Sequence, residues 1–302
     1  MVIATGFFDG VHRGHRLVIE QLVQAARERG EPSLVITFQP HPRNVLQSDA
    51  RDLRLLTSLE EKKALLRGLG VDRIEVLSFT KEFSRVSTEA YLRDYVMGRF
   101  GGRAILIGYD NRMGGDLLTP DEIEPLARGL GLDVIRTKPV KAGESLAISS
   151  TKIRSLLADG EVEAANGMLG YPYTLHGVVV AGNQFGRTIG FPTANMQLYE
   201  PLKQVPGNGV YLVEAETVGR MLRGMCNIGY RPTVCDDKAR TIETNLFDFD
   251  EDIYGLDLKV RFLRKIRDER KFGSVAELRA QLERDRDFCL RAEIRESFCT
   301  FD

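Results

Sequence analysis

The sequence predicts an α/β domain on a doubly wound parallel sheet, followed by a small antiparallel β-barrel domain with a C-terminal helix. Three observations predict it. In the first half, short β-branched runs alternate with amphipathic stretches, which is how βαβ units read. In the second half the runs are short, apolar or alternating, and separated by Gly, Pro, Asn and Asp, as in an antiparallel sheet or barrel. The 302 residues exceed one ordinary domain, so two are expected, spanning 1–170 and 171–302.

Taken in order, the strands expected first are Val2–Thr5, Leu34–Phe38, Arg73–Val76, Ala104–Ile107 and Val134–Thr137. Between them lie helical patterns at His15–Arg29, Leu59–Gly68, Thr88–Phe100 and Pro120–Arg128. Gly30, Gly70 and Gly131 follow three of these, where a left-handed C-cap belongs. Ligands of such sheets bind beyond the carboxyl ends of the strands, which puts a site in the loop after Thr5. A connecting helix leads to a boundary near Gly167–Pro172. Beyond it, strands are expected at Leu175–Val180, Gly209–Ala215, Met221–Asn227, Thr241–Phe249 and Leu256–Phe262. The last helix starts at Ser274 as N-cap, with Glu277 completing a capping-box pattern.

Composition narrows the function classes. Lys+Arg number 42 and Asp+Glu 43, with no block of like charge, which argues against a nucleic-acid or anionic-membrane partner. No apolar run is long enough to span a bilayer, and the first residues read as a buried strand rather than a targeting segment, so a cytoplasmic location is expected. Cys226, Cys235, Cys289 and Cys299 lack C-x-x-C spacing and read as plain thiols in a reducing compartment, neither a disulfide framework nor a zinc site. No pattern sets an oligomeric state.

Two segments carry chemistry. In Gly6-Phe7-Phe8-Asp9-Gly10-Val11-His12-Arg13-Gly14-His15, two of the four histidines stand three apart at a helix start, so both rings can share one side of the first turn. Exposed N–H groups and the helix dipole favour an anion there, and Gly6, Gly10 and Gly14 permit close backbone approach. The alternatives are two ordinary polar residues or a metal pair that no acidic or cysteine cluster completes. The segment is not a P-loop, since G-x-x-x-x-G-K-[ST] is absent. In Gly186-Arg187-Thr188-Ile189-Gly190-Phe191-Pro192-Thr193-Ala194-Asn195, paired glycines, an arginine and two neutral oxygen donors suit a nucleotide and its metal, although Thr193 and Asn195 could equally cap a turn after Pro192.

His-x-Gly-His after the first strand, with Ile148-Ser149-Ser150-Thr151-Lys152-Ile153-Arg154 later, resembles the nucleotidyltransferase superfamily. The Gly186–Asn195 stretch, with Gly209-Val210-Tyr211, Asn227–Thr233 and Glu243–Phe249, resembles riboflavin kinase. Thr37-Phe38-Gln39-Pro40-His41-Pro42 and Leu56–Lys62 complete a resemblance, over nearly the whole chain, to the bifunctional bacterial riboflavin kinase/FAD synthetase family. That resemblance implies an FMN adenylyltransferase domain of nucleotidyltransferase type followed by a riboflavin kinase domain. It implies two reactions: transfer of the γ-phosphoryl of ATP to riboflavin, giving FMN, and joining of AMP to FMN, giving FAD and pyrophosphate.

The resemblance also implies site residues. His12 and His15 act catalytically on the nucleotide, with Gly6, Phe7, Gly14, Asp110, Ser150, Thr151 and Arg154 around it. In the kinase, Glu243 is the general base, and Thr193 and Asn195 hold Mg²⁺ and ATP under a flexible loop containing Gly182, Gly186 and Arg187. Pro40, Arg270 and Phe272 are the expected flavin contacts, although Arg270-Lys271 before a helix would equally read as a solvated surface pair. Riboflavin, FMN, FAD and ATP are the implied partners. One segment departs from the family: Gly108–Asp116 is short after Gly114, where a basic residue that the family normally has is missing, and has Met113 where an aromatic is common. Either the loop has diverged or the recorded sequence omits residues. A riboflavin kinase with an impaired adenylyltransferase domain, or a non-catalytic flavin-binding regulator, are therefore the alternative functions.

Overall fold

Residues along the strands of the first half face alternate ways, and here both faces meet apolar partners. The computed structural model describes residues 1–46, 53–108, 111–137, 148–230 and 240–294. Its first compact unit runs to Ser150 and its second starts at Thr151.

In the first unit β1 (Val2–Thr5), β2 (Ser33–Gln39), β3 (Arg73–Ser78), β4 (Ala104–Ile107) and β5 (Asp133–Arg136) form one parallel sheet in the order β3-β2-β1-β4-β5. The helices are α1 (Arg13–Arg29), α2 (Pro42–Leu46), α3 (Leu59–Gly68), α4 (Thr88–Ala90) and α5 (Pro120–Gly129). One sheet face buries Ile3, Leu34, Ile36, Ile105 and Ile107 against Leu92, Val96 and Ile123. The other buries Val2, Ala4, Val35 and Leu106 against Ile19, Leu22 and Val23 of α1 and Leu66 of α3. Each fully buried Ile or Leu contributes about 2 kcal/mol, so this pair of cores stabilises the unit.

Local signals place the helix ends. Gly30, Gly70 and Gly131 have φ of 63°, 84° and 85°. Ser58 and Glu61 form a reciprocal capping box on α3, and Thr119 and Glu122 form another on α5. The helix expected at Thr88–Phe100 is instead a short α4 that continues as a π-helical stretch, Tyr91–Arg99. Within the short segment after Gly108, Met113 is buried in the core, and the Asp116 carboxylate accepts from Thr88 N at 3.0 Å and Thr88 Oγ1 at 2.6 Å.

The second unit contains α6 (Ser150–Ala158) beyond its first residue, α7 (Val162–Leu169) and a closed antiparallel barrel. The barrel strands are β6 (Tyr173–Val180), β7 (Ala194–Leu198), β8 (Gly209–Thr217), β9 (Arg220–Tyr230), β10 (Arg240–Leu246) and β11 (Asp257–Arg267), in the order β10-β7-β6-β11-β8-β9. Helix α8 (Phe185–Thr188) sits in the glycine-rich connection, which is thus a helical turn for part of its length, and α9 (Val275–Arg291) ends the described chain. Among the described residues, closure leaves the barrel no strand edge to pair with another chain. Strand β7 is not among the runs expected from sequence.

The compact units divide ahead of the boundary expected near 170, and buried Asn166 of α7 supplies the reason. Its amide donates to Phe262 O at 2.8 Å and its oxygen accepts from Tyr173 N at 2.7 Å, so α7 is tied to β11 and β6. At α9, Ser274 accepts from Glu277 N at 3.2 Å, but the Glu277 carboxylate accepts from Gly273 N rather than Ser274 N, so the expected capping box is only half formed. Cys226 and Cys289 are free and buried, and burial pushes each thiol up to about 12; Cys235 and Cys299 lie outside the described residues. Among the described residues no helix is long and apolar enough to cross a membrane.

Candidate active sites

The first site grows from the turn between β1 and α1. Phe8 and Val11 have φ of 50° and 36°, a left-handed region that bulky and β-branched residues rarely adopt. The turn is held there by Asp9, whose buried carboxylate accepts from Leu56 N at 3.0 Å and Thr57 N at 3.1 Å. His12 caps α1, its Nδ1 accepting from His15 N at 3.3 Å. The two imidazoles stack with centroids 3.6 Å apart. Burial, reinforced by His12 and Lys62, holds His15 well below the usual histidine range, so the ring is neutral at physiological pH. Gly14 lies under the His12 ring, where an added Cβ would come within 3.3 Å. Gly6 is tied to β2 through its N–H to Ile36 O at 3.0 Å.

Lys62 of α3 completes this cluster and was not among the residues expected from sequence. It is 3% exposed, its ammonium lies 3.9 Å from the centroid of the Phe7 ring, and it donates to Thr37 Oγ1 at 3.4 Å. Thr37 Oγ1 in turn donates to Phe7 O at 3.2 Å, and His41 meets the same ring edge-on at 3.9 Å. Burial lowers the ammonium to about 8, against the favourable charge of Asp9. The signal was present: Lys62 stands one turn before Leu66 on the inward stripe of α3, a position that normally holds an apolar residue.

The later motif reaches the same turn, for Ser150 Oγ donates to Asp9 O at 3.0 Å. Thr151 and Arg154 follow on α6. Pro40 is exposed just past the end of β2. Asp110 lies outside the described residues.

The second site is built on three neighbouring barrel strands. Glu243 of β10 pairs with Asn195 of β7 on one side and Asn227 of β9 on the other, so the three side chains form a row. Together with Asn245 they line a cavity of about 350 Å³. Thr193, just before β7, donates to Glu243 Oε2 at 3.5 Å. Asn245 Nδ2 donates to Pro192 O at 2.6 Å and so fixes the turn that presents Thr193. Gly182 passes so close to the Asn195 amide, and Gly186 to Phe191 O, that a Cβ at either would collide.

The strand alternation sends Ala194, Thr244 and Leu246 the other way, toward a second cavity of about 430 Å³ that also holds Arg187, Pro192 and Tyr254. Thr193 borders both cavities. The far wall of the first is Arg267, Glu269, Arg270 and Phe272, with Leu278 and Leu282 of α9. The structure thus gathers Gly186, Thr193, Asn195, Glu243, Arg270 and Phe272 around one cavity and puts Arg187 at the other. Asn227, Asn245 and Arg267 join them without having been singled out. Among the described residues no cluster of three His, Cys, Asp or Glu could hold a metal. A hard ion retaining phosphate and water ligands needs few protein oxygens, and Thr193 Oγ1 with the Asn195 side-chain oxygen fits that demand.

Comparison with known proteins follows this division. A riboflavin kinase model matches residues 169–292 and an FAD synthetase model matches residues 1–152. The bifunctional riboflavin kinase/FMN adenylyltransferase of Bacillus subtilis is 39% identical, over 96% of this chain and 92% of its own length. That of Listeria monocytogenes is 40% identical, over 94% and 90%. The crystal structure of a macrolide-efflux protein from Streptococcus pneumoniae is 34% identical and superimposes with a TM-score of 0.89, covering 97% of this chain and 94% of that one.

Proposed function

The chain belongs to the bifunctional riboflavin kinase/FMN adenylyltransferase family, and from that premise we propose how its residues divide the two reactions. It is a bifunctional transferase of FAD biosynthesis: it phosphorylates riboflavin to FMN with ATP and adenylylates FMN to FAD with release of pyrophosphate. An impaired adenylyltransferase and a non-catalytic flavin binder are not favoured, because both family models match and the whole-chain relatives are named for both activities.

For the kinase, the carrying observation is the meeting of Thr193 and Glu243 at 3.5 Å on a rim that Thr193 shares between two cavities. In our reading the cavity lined by Phe191, Phe272 and Leu282 takes the flavin, and the one beside Arg187 and Tyr254 takes ATP. Glu243 accepts the proton of the ribityl 5′-hydroxyl as that oxygen bonds to the γ-phosphorus and ADP leaves. Thr193 and Asn195 are the ligands for Mg²⁺, which when bound would neutralise phosphate charge. The tight packing of Gly182 and Gly186 holds the glycine-rich turn against these residues.

For the adenylyltransferase, a phosphate oxygen of FMN attacks the α-phosphorus of ATP and pyrophosphate departs. His12 and neutral His15 face the nucleotide at the start of α1, where the helix dipole favours anions. Phe7, Gly6, Gly14 and Ser150 complete the nucleotide site, Pro40 contacts the flavin, and Thr151, Arg154 and Asp110 are assigned on family likeness alone. A cytoplasmic location belongs to the same proposal. The test is a product assay: flavin-free protein with riboflavin, ATP and Mg²⁺, resolved by chromatography. FAD is expected. FMN alone would refute the adenylyltransferase assignment, neither product would refute both, and full turnover in excess chelator would refute the metal.

A further inference from the structure

The wall of the flavin cavity is held from behind by groups that do not line it. A register shift in β11 between Lys265 and Arg267 breaks the strand alternation, and bulges of this kind re-aim the side chains that follow. Arg267 meets Asp285 of α9, donating from Nε at 2.9 Å and from Nη2 at 2.8 Å. Asp285 is 2% exposed and Arg267 18%. The second Asp285 oxygen accepts from Gln281 Nε2 at 2.7 Å, and Gln281 Oε1 accepts from Arg270 and Arg284. The Phe272 ring is close to both wall arginines, 5.7 Å from the Arg267 guanidinium carbon and 4.7 Å from that of Arg270.

One carboxylate therefore orients both cations that flank the ring. Without it Arg267 would lose both contacts that its guanidinium makes with the Asp285 carboxylate, and Arg270 would lose the orientation of the amide that anchors it. Arginine stacked on an aromatic face makes a flat, rigid surface at small entropic cost, suited to a planar aromatic ligand.

We propose that Asp285, acting through Arg267 and Gln281, is a positioning residue that sets the Arg267–Phe272–Arg270 wall and thereby the affinity of the kinase for riboflavin. This rests on reading the cavity as the flavin pocket. Asp285 touches no substrate and leaves the phosphoryl step alone.

The test uses the full chain and separates KM for riboflavin, KM for ATP and kcat for FMN formation, with adenylylation of supplied FMN as the internal control. Phe272→Ala, in the wall itself, reports on the pocket reading; Gln281→Leu and Asp285→Asn report on the proposal. Gln281 is only partly buried, so its variant keeps the question open if loss of the buried Asp285 charge prevents folding. Expected are rises in riboflavin KM of roughly five-fold for Gln281→Leu and ten-fold or more for Asp285→Asn, the scale of one and of several charge-assisted hydrogen bonds. KM for ATP, kcat and adenylylation stay at wild-type values. If Phe272→Ala leaves riboflavin KM unchanged, the pocket reading is wrong. If Phe272→Ala raises it while Gln281→Leu does not, or if ATP KM or kcat moves with it, the positioning role is overturned.

Discussion

Replacing Lys62 by methionine should make the first unit more stable and the adenylyltransferase worse. The side chain keeps its length and its contact with Phe7 but loses a buried charge. A fall of the ammonium from 10.5 to about 8 corresponds to about 3 kcal/mol acting against the charged form in the folded state. Because the folded value lies below the unfolded one, the wild type suffers the full cost below pH 8 and recovers it as pH rises toward 10.5. Lys62→Met should therefore gain about 2–3 kcal/mol at pH 7 and almost nothing near pH 10.5. Urea unfolding of the full chain at several pH values, followed by circular dichroism, measures this on the transition that the substitution shifts. Adenylylation of supplied FMN should fall roughly ten-fold or more, since a cation kept at such cost marks function rather than packing. No gain at pH 7, or a gain that does not fade with pH, would show that the ammonium is not penalised by burial; a variant that is stabilised and fully active would remove it from the reaction.

Three further outcomes are expected. Glu243→Gln should slow FMN formation by roughly 10²–10⁴-fold, the usual worth of a general base, while adenylylation of supplied FMN persists. His15→Ala should do the reverse. Because burial holds His15 below the usual range, it adds stability above pH 6.5 that disappears as pH falls through its lower folded value; histidine proton resonances should include one titrating well below the usual histidine range. Gly182→Ala should push the Asn195 amide out of place and cost the kinase roughly a hundred-fold, with the first reaction untouched in the same protein.

Much of this was legible because local chemistry and tertiary need agree. Strands β1 and β4 have the bounds that their β-branched runs suggest, and the left-handed glycines stand where helices end. The Thr193, Asn195 and Glu243 set is drawn together by strand pairing that the sequence pattern does not spell out. What escaped depends on distant packing. Lys62 stands on the inward stripe of α3, but only the packing of Phe7 and Thr37 over it shows what that charge meets. Strand β7 is short and follows directly on Pro192-Thr193, so its pattern merges with the turn. Gln281 and Asp285 read as solvated helix polar groups, and only the bulge in β11 brings Arg267 to them.

The tie made by Asn166 also decides where this gene could be divided. A fragment begun at residue 171 would strip the Phe262 carbonyl and the Tyr173 amide of their buried partner, at about 1–3 kcal/mol for each, whereas one begun near 151 keeps both. The two family models leave 153–168 unclaimed between them. A kinase excised intact would thus carry with it a stretch that neither family model matches, Arg154 of the first site included.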